Sequence, residues 1–149
     1  MISSGTGVRS ADILLVEDNP VDAMIVQRAF AKCSLRTNLH VAEDGEEAMA
    51  FLCKRGKFSS VSSPDVILLD LNLPKKHGLH ILSEIREDPS LRGISVFVLT
   101  TSSDPEDIRR SYELKADCFI TKPASMEQFT NTLKSLMEFW FATVGIPET

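Results

Sequence analysis

The stretch Ser63–Gly78, SPDVILLDLNLPKKHG, decides how the rest of the chain is read. Four apolar residues, Val66 to Leu69, run into a carboxylate, Asp70, and Asn72, Pro74 and Gly78 follow. A short apolar run bounded by such residues reads as a buried strand, and in open α/β sheets ligands bind outside the carboxyl ends of strands. Asp70 therefore stands at a functional address. An aspartate there also serves as a helix cap, so its role depends on which other residues reach the same edge.

The same grammar recurs on either side. Asp12–Val16 is an apolar run followed by Glu17-Asp18-Asn19-Pro20, with Asn19 as N-cap and Pro20 as first helical residue. Met24, Ile25, Ala29 and Phe30 continue at helical spacing, and this helix is predicted to end near Lys32 or Cys33. Residues 36–42 form a weaker strand whose Leu39 and Val41 alternate with polar neighbours, as on a sheet edge. Asp44 caps a second helix with Ala48, Met49, Phe51 and Leu52 on its apolar face. Lys57–Pro64 reads as a surface loop, and Lys54, Arg55 and Lys57 as a solvated face.

A third helix is predicted over Gly78–Glu87, stopped by Asp88-Pro89. Ile94–Leu99 is a fourth strand ending in Thr100 and Thr101, and Asp104-Pro105 opens a fourth helix. Asp117–Thr121 is a fifth strand leading into Lys122-Pro123. A final helix from about Ser125 carries Met126, Phe129, Leu133, Leu136, Met137 and Trp140 on one side. Five strands alternating with five helices make an α/β domain with a doubly wound, five-stranded parallel sheet.

The 149 residues suit one domain over 12–141, with an arm at 1–11 and a tail at 142–149. A net charge of −5 argues against general nucleic-acid affinity, which needs clustered Lys and Arg. Cys33, Cys53 and Cys118 show no CxxC spacing and read as small buried or half-buried residues of a reduced, cytoplasmic protein. No signal-peptide core and no membrane-spanning run is present in the sequence.

In such a fold the carboxyl ends of the parallel strands share one side, which gathers Glu17, Asp18, Asp70, Thr100, Thr101 and Lys122. Carboxylates that close repel one another unless a cation neutralises them. Hard oxygen donors point to Mg²⁺, with Mn²⁺ as substitute, and the lack of a His or Cys cluster disfavours zinc. Asp18, Asp70 and the backbone carbonyl of Asn72 are the candidate direct ligands. Thr100, with Thr101 beside it, and Lys122 are the candidate phosphate contacts. Each has a plain alternative as a loop acid, strand-end hydroxyl or solvated lysine, but their joint placement at strand ends favours a phosphoryl site.

On these residues the chain resembles the receiver domains of two-component response regulators over roughly Asp12–Trp140. The resemblance implies a flavodoxin-like receiver fold with strand order 2-1-3-4-5 and a phosphoryl group accepted on Asp70 from a histidine kinase or small phosphodonor. It also implies Mg²⁺ held by Glu17 and Asp18, a switch pair Thr100 and Phe119, and a cis bond before Pro123. Beyond self-phosphorylation and slow autodephosphorylation, no enzyme activity is implied. The motifs LVEDN, LLDLNLPKKHG and VLTTS and the aromatic FWF near the end are similar to single-domain regulators paired with cyanobacterial and bacterial phytochrome kinases. Such a partner is implied, as is a homodimer through the face of the fourth helix, fifth strand and fifth helix together with the C-terminal aromatics Phe139, Trp140 and Phe141.

Phe139, Trp140 and Phe141 are consecutive, so one helical face cannot bury all three. Only FATVGIPET follows Trp140, so output is expected through protein contact, without direct binding to nucleic acid or membrane. Lys115 stands where many receivers place Gly before the fifth strand, which leaves the end of the fourth helix open. Two rivals come from other classes. A Mg²⁺-dependent phosphatase with an aspartyl nucleophile usually carries DxD, and Asn72 occupies the place of the second acid. A flavodoxin-like nucleotide module is opposed by the acidic first loop. A receiver acting only as a docking module is a third reading.

Overall fold

The computed structural model describes residues 10–33, 36–74 and 76–144. Five parallel strands, β1 (Ala11–Val16), β2 (Thr37–Ala42), β3 (Val66–Leu69), β4 (Ser95–Thr100) and β5 (Cys118–Thr121), form one sheet in the order β2-β1-β3-β4-β5. The helices are α1 (Pro20–Ala31), α2 (Gly45–Leu52), α3 (Gly78–Glu87), α4 (Pro105–Glu113) and α5 (Met126–Val144). This is the flavodoxin-like order expected of a receiver. Most of the arm anticipated at 1–11 lies outside the described residues, and Ala11 already belongs to β1.

Both faces of the sheet are covered, which is why the central strands are apolar throughout rather than alternating. Leu14, Val16, Ile67, Leu69, Val96 and Val98 pack on one face with residues of α2 and α3. Ile13, Leu15, Val66, Leu68, Phe97 and Leu99 pack on the other with residues of α1 and α5. All four residues of β3 are fully buried. Burying one such side chain stabilises by about 1.5–3 kcal/mol, so the strand that delivers Asp70 is firmly anchored.

The helix starts follow their capping residues. The Asn19 side chain accepts from the amides of Val21 and Asp22, Asp44 from Glu47, and Asp104 from Glu106. The fourth helix ends as a Schellman motif: the Ala116 amide donates to Ser111 O and the Lys115 amide to Tyr112 O, both at 2.9 Å. Lys115 takes the left-handed conformation there, with φ 67°, so the turn persists without glycine. The Arg86 guanidinium reinforces it by donating to the carbonyls of Lys115, Arg92 and Ile94 and to the Asp117 carboxylate.

Two expectations need correction. The loop anticipated at 57–64 overlaps a 3₁₀ turn, Gly56–Phe58, because Phe58 buries its ring edge-on to those of Phe51 and His40. Cys53 is exposed rather than buried, since it caps the end of α2, while Cys33 and Cys118 are half-buried. The basic residues Lys54, Arg55 and Lys57 are exposed, as anticipated.

The sheet register sets the site. Val16 lies beside Leu69, and Leu69 beside Val98. The next residue of each strand end continues the ladder: the Glu17 amide donates to Ala42 O (2.9 Å), Asp70 to Val16 O (3.1 Å) and Lys122 to Thr100 O (2.7 Å). Gly78 then returns α3 against the β3 end, its amide donating to Leu71 O at 2.9 Å. A Cβ on Gly78 would lie 2.5 Å from the carbonyl oxygen of Asp70 and 2.7 Å from Leu71 Cα, backbone atoms that cannot swing away. Gly78→Ala is therefore expected to destabilise the fold by about 1–3 kcal/mol through overpacking, read as a lower urea midpoint with unchanged slope.

Candidate functional site

Four segments converge where the strands end. Glu17 and Asp18 follow β1, Asp70 follows β3, Thr100 ends β4 and Lys122 follows β5. The ammonium of Lys122 donates to Glu17 Oε1 at 2.6 Å, Asp22 Oδ2 at 2.9 Å and Asp70 Oδ2 at 3.2 Å. Its side chain is only 5% exposed. Glu17 and Asp70 are themselves buried, whereas Asp18 is exposed at the rim.

Burial is the main force on the Glu17 carboxyl and raises it to about 7. The hydrogen bond from Lys122 opposes the shift, and the neighbouring charge of Asp70 adds to it. Burial by itself would weaken protonation of Lys122. Its hydrogen bonds to Asp22 and Glu17 and the charges of Glu17 and Asp70 outweigh burial, so the ammonium is held more firmly than in an ordinary lysine.

The two oxygens of Asp70 have different neighbours. Oδ1 accepts the Asn72 amide at 3.1 Å, while Oδ2 faces Lys122. Thr100 is fully buried, and its Oγ1 accepts from Asn72 Nδ2 and from the Ser102 amide, each at 3.2 Å. With both contacts accepted, the hydroxyl proton is free to be donated elsewhere.

Glu17, Asp18 and Asp70 each offer a carboxylate oxygen, and these oxygens lie within 4.8 Å of one another. One ammonium shared by the buried acids leaves the cluster negative. An all-oxygen donor set with a destabilised carboxylate charge suits a hard divalent cation, which would lower the cost of ionising Glu17.

The structure thus brings Glu17, Asp18, Asp70, Thr100 and Lys122 to one place. Asn72 touches Asp70 through its amide and Thr100 through its side chain. Thr101 is exposed. Phe119 is half-buried and packs with the core on the α2 and α3 face. The expected cis bond before Pro123 is a correction: no described peptide bond is cis. Trans is the default for X-Pro by about 0.5–1 kcal/mol, and Lys122 reaches its three carboxylates with that geometry.

Asp22 was not anticipated. It lies one turn beyond Asp18 on α1, at i+4, and that spacing from an acid already assigned to the site was the available signal. The link from Asn72 to Thr100 had no sequence signal.

Both the sequence and the fold match known proteins. A family model described as the response regulator receiver domain matches residues 13–134. Response regulator Rcp1 of Synechocystis sp. is 41% identical over 135 residues, covering 91% of this chain and 92% of that protein. Among solved structures, the phosphorylated cyanobacterial phytochrome response regulator RcpA superposes with a TM-score of 0.87 at 44% identity, covering 91% of this chain and 96% of that one. The Mn²⁺-bound form of Rcp1 gives 0.87 at 40% identity, covering 92% and 99%.

The buried carboxyl of Glu17 sets a pH dependence in chelator-treated protein. A carboxyl raised from 4.5 to about 7 binds a proton in the folded state that the unfolded chain has already lost, so stability falls as pH rises across that window. The drop is expected to be on the order of 3 kcal/mol, measured by urea unfolding, with Glu17→Gln flattening the slope.

Proposed function

The chain belongs to the response regulator receiver domain family and so serves phosphorylation-dependent signalling, and we propose that Asp70 is its phosphoacceptor within a Mg²⁺ site formed by Glu17, Asp18, Asp70 and the carbonyl of Asn72. The observation that carries this reading is the Lys122 ammonium 3.2 Å from Asp70 Oδ2, with a cluster of carboxylates around it. The donor is a phosphohistidine of a histidine kinase, of the phytochrome type by similarity to Rcp1 and RcpA. A small acyl phosphate would use the same chemistry.

The carboxylate of Asp70 attacks phosphorus in line. A bond forms from its oxygen to phosphorus, the phosphorus–nitrogen bond of the donor breaks, and the electron pair leaves with the imidazole. When bound, the divalent cation supplies positive charge to the carboxylates and the transferring oxygens. Lys122 is placed to follow the charge from the carboxylate to the phosphoryl oxygens, and the Asn72 amide orients Asp70 by holding Oδ1. A phosphatase would need a second acid. Asn72 stands in that position, and its side-chain amide donates to Thr100.

The switch follows from Thr100 and Phe119. A phosphoryl group on Asp70 offers acceptors for the free hydroxyl proton of Thr100, drawing β4's end towards it and giving Phe119 room to turn inward. The surface of α4, β5 and α5 changes shape in response. Among its described residues α4 buries only Ser111, so little core packing opposes its displacement.

Output passes through protein contact in the cytoplasm, in keeping with three free cysteines. No helix among the described residues is long and apolar enough to cross a membrane. Among the described residues, self-association through the α4, β5 and α5 face has two exposed aromatics to offer, Tyr112 on α4 and Phe139 on α5. Phe141 is buried and Trp140 meets Phe97 edge-on at 6.0 Å, but Phe139 is 69% exposed.

With acetyl phosphate and Mg²⁺, wild type is expected to gain an acid-stable, hydroxylamine-labile phosphate that Asp70→Asn does not. Equal labelling of both proteins, or of neither, sinks the reading. In light scattering, Phe139→Ala is expected to lower the dimer fraction by about tenfold in association constant, as befits loss of an exposed aromatic anchor. A strict monomer at high concentration for wild type, with and without acetyl phosphate, rules the dimer out.

A further inference from the structure

Helix N-caps favour Ser, Thr, Asp or Asn, whose oxygens accept an unpaired amide. The cap of α3 is instead His77, with extended backbone at φ −62° and ψ 143°, and its Nδ1 accepts the Leu79 amide at 3.1 Å. Only an unprotonated ring nitrogen can accept, so the imidazole is neutral with its proton on Nε2.

This cap opens the helix that abuts the phosphoacceptor. Gly78, one residue on, donates to Leu71 O at 2.9 Å and packs so closely on the Asp70 carbonyl that no Cβ fits. The same Asp70–Asn72 turn supplies the amide that holds Asp70 Oδ1. Three contacts, His77 to Leu79, Gly78 to Leu71 and Asn72 to Asp70, therefore tie the ring of one exposed histidine to the orientation of the buried carboxylate.

We infer that His77 is a positioning residue for Asp70, whose neutral ring caps α3 and whose protonation loosens the phosphoacceptor turn. Protonated, Nδ1 becomes a donor facing a donor, and a positive charge is added at the positive end of the helix dipole. Among the described residues, charged groups lie on both sides of the ring's segment. On its own segment Lys76 is paired with Glu84 at 2.7 Å, and His80 is exposed one turn on. On α2, Glu46 lines the groove shared with Lys76 and Glu84, and on the β3 side the Asp70 carboxylate is engaged by Lys122. Because the cap works only when neutral, its contribution is lost as pH falls.

The inference rests on Asp70 being the phosphoacceptor, and the experiment separates the two. Phosphate uptake from acetyl phosphate at saturating Mg²⁺ is followed between about pH 5.5 and 8 for wild type, His77→Asn and His77→Ala. Asparagine caps without titrating in this range, and protonation of the metal ligands is common to all three proteins. Uptake by wild type relative to His77→Asn is expected to fall from the alkaline to the acidic end, by at most the roughly fivefold that a lost cap is worth. His77→Ala is expected to be slow throughout. Nitrogen-15 shifts of the ring should show the Nε2-protonated tautomer, with Gly78 and Leu79 amide exchange quickening as the ring titrates. Superimposable profiles for wild type and His77→Asn, or the opposite tautomer, overturn this inference alone. Absence of phosphate on wild type at every pH overturns it together with the assignment of Asp70.

Discussion

The ammonium of Lys122 lies between Glu17, Asp22 and Asp70 with almost no access to water, and much of the molecule is arranged to keep it there. Taking these charges out of water is costly, and the cost is offset only where the partners meet in good hydrogen-bonding geometry. Burial that pushes the Glu17 carboxyl up towards neutrality and the negative balance of the cluster have the same origin. A site with more buried carboxylate than ammonium is poised for a further cation and, once it is present, for an anionic phosphoryl group.

Such geometry needs a rigid frame, and the backbone supplies it. The amides of Glu17, Asp70 and Lys122 each donate to a carbonyl of the neighbouring strand end, so the three side chains start from positions set by sheet register rather than by loop conformation. The Asp70 turn is closed from the other side by α3, and glycine is required at position 78 because the helix backbone approaches the strand end too closely for any side chain. Pre-organisation of this kind matters for phosphoryl transfer, where positioning and charge compensation account for most of the catalysis.

Stability is distributed unevenly around that frame. The central strands are sealed between two apolar layers, and α1, α2, α3 and α5 each contribute several buried side chains. The fourth helix is different: its exposed face is laced by Arg109 with Glu106 and Glu113, and exposed ion pairs of this kind contribute little. It is held chiefly at its ends, by the Asp104 cap and by the Schellman turn that Arg86 braces. A helix anchored in this way can shift without disturbing the core, which suits the surface through which a signal would leave.

Strand and helix order, the caps at Asn19, Asp44 and Asp104, and the gathering of Glu17, Asp18, Asp70, Thr100 and Lys122 at one edge were all legible in the sequence. Periodicity, capping chemistry and the position of a residue at a strand end are local properties of covalent order. Tertiary structure alone decided that Asp22 joins Lys122, that Asn72 spends its side chain on Thr100, that Thr101 faces solvent and that Phe58 anchors a stretch rich in serine. It also decided that Lys122-Pro123 is trans and that Phe139, of three consecutive aromatics, stays exposed. Lys122 and Glu17 are 105 residues apart in the chain and 2.6 Å apart in space. Which atoms meet across such a separation depends on the directions of side chains converging from different elements, and that information exists only once the sheet has formed.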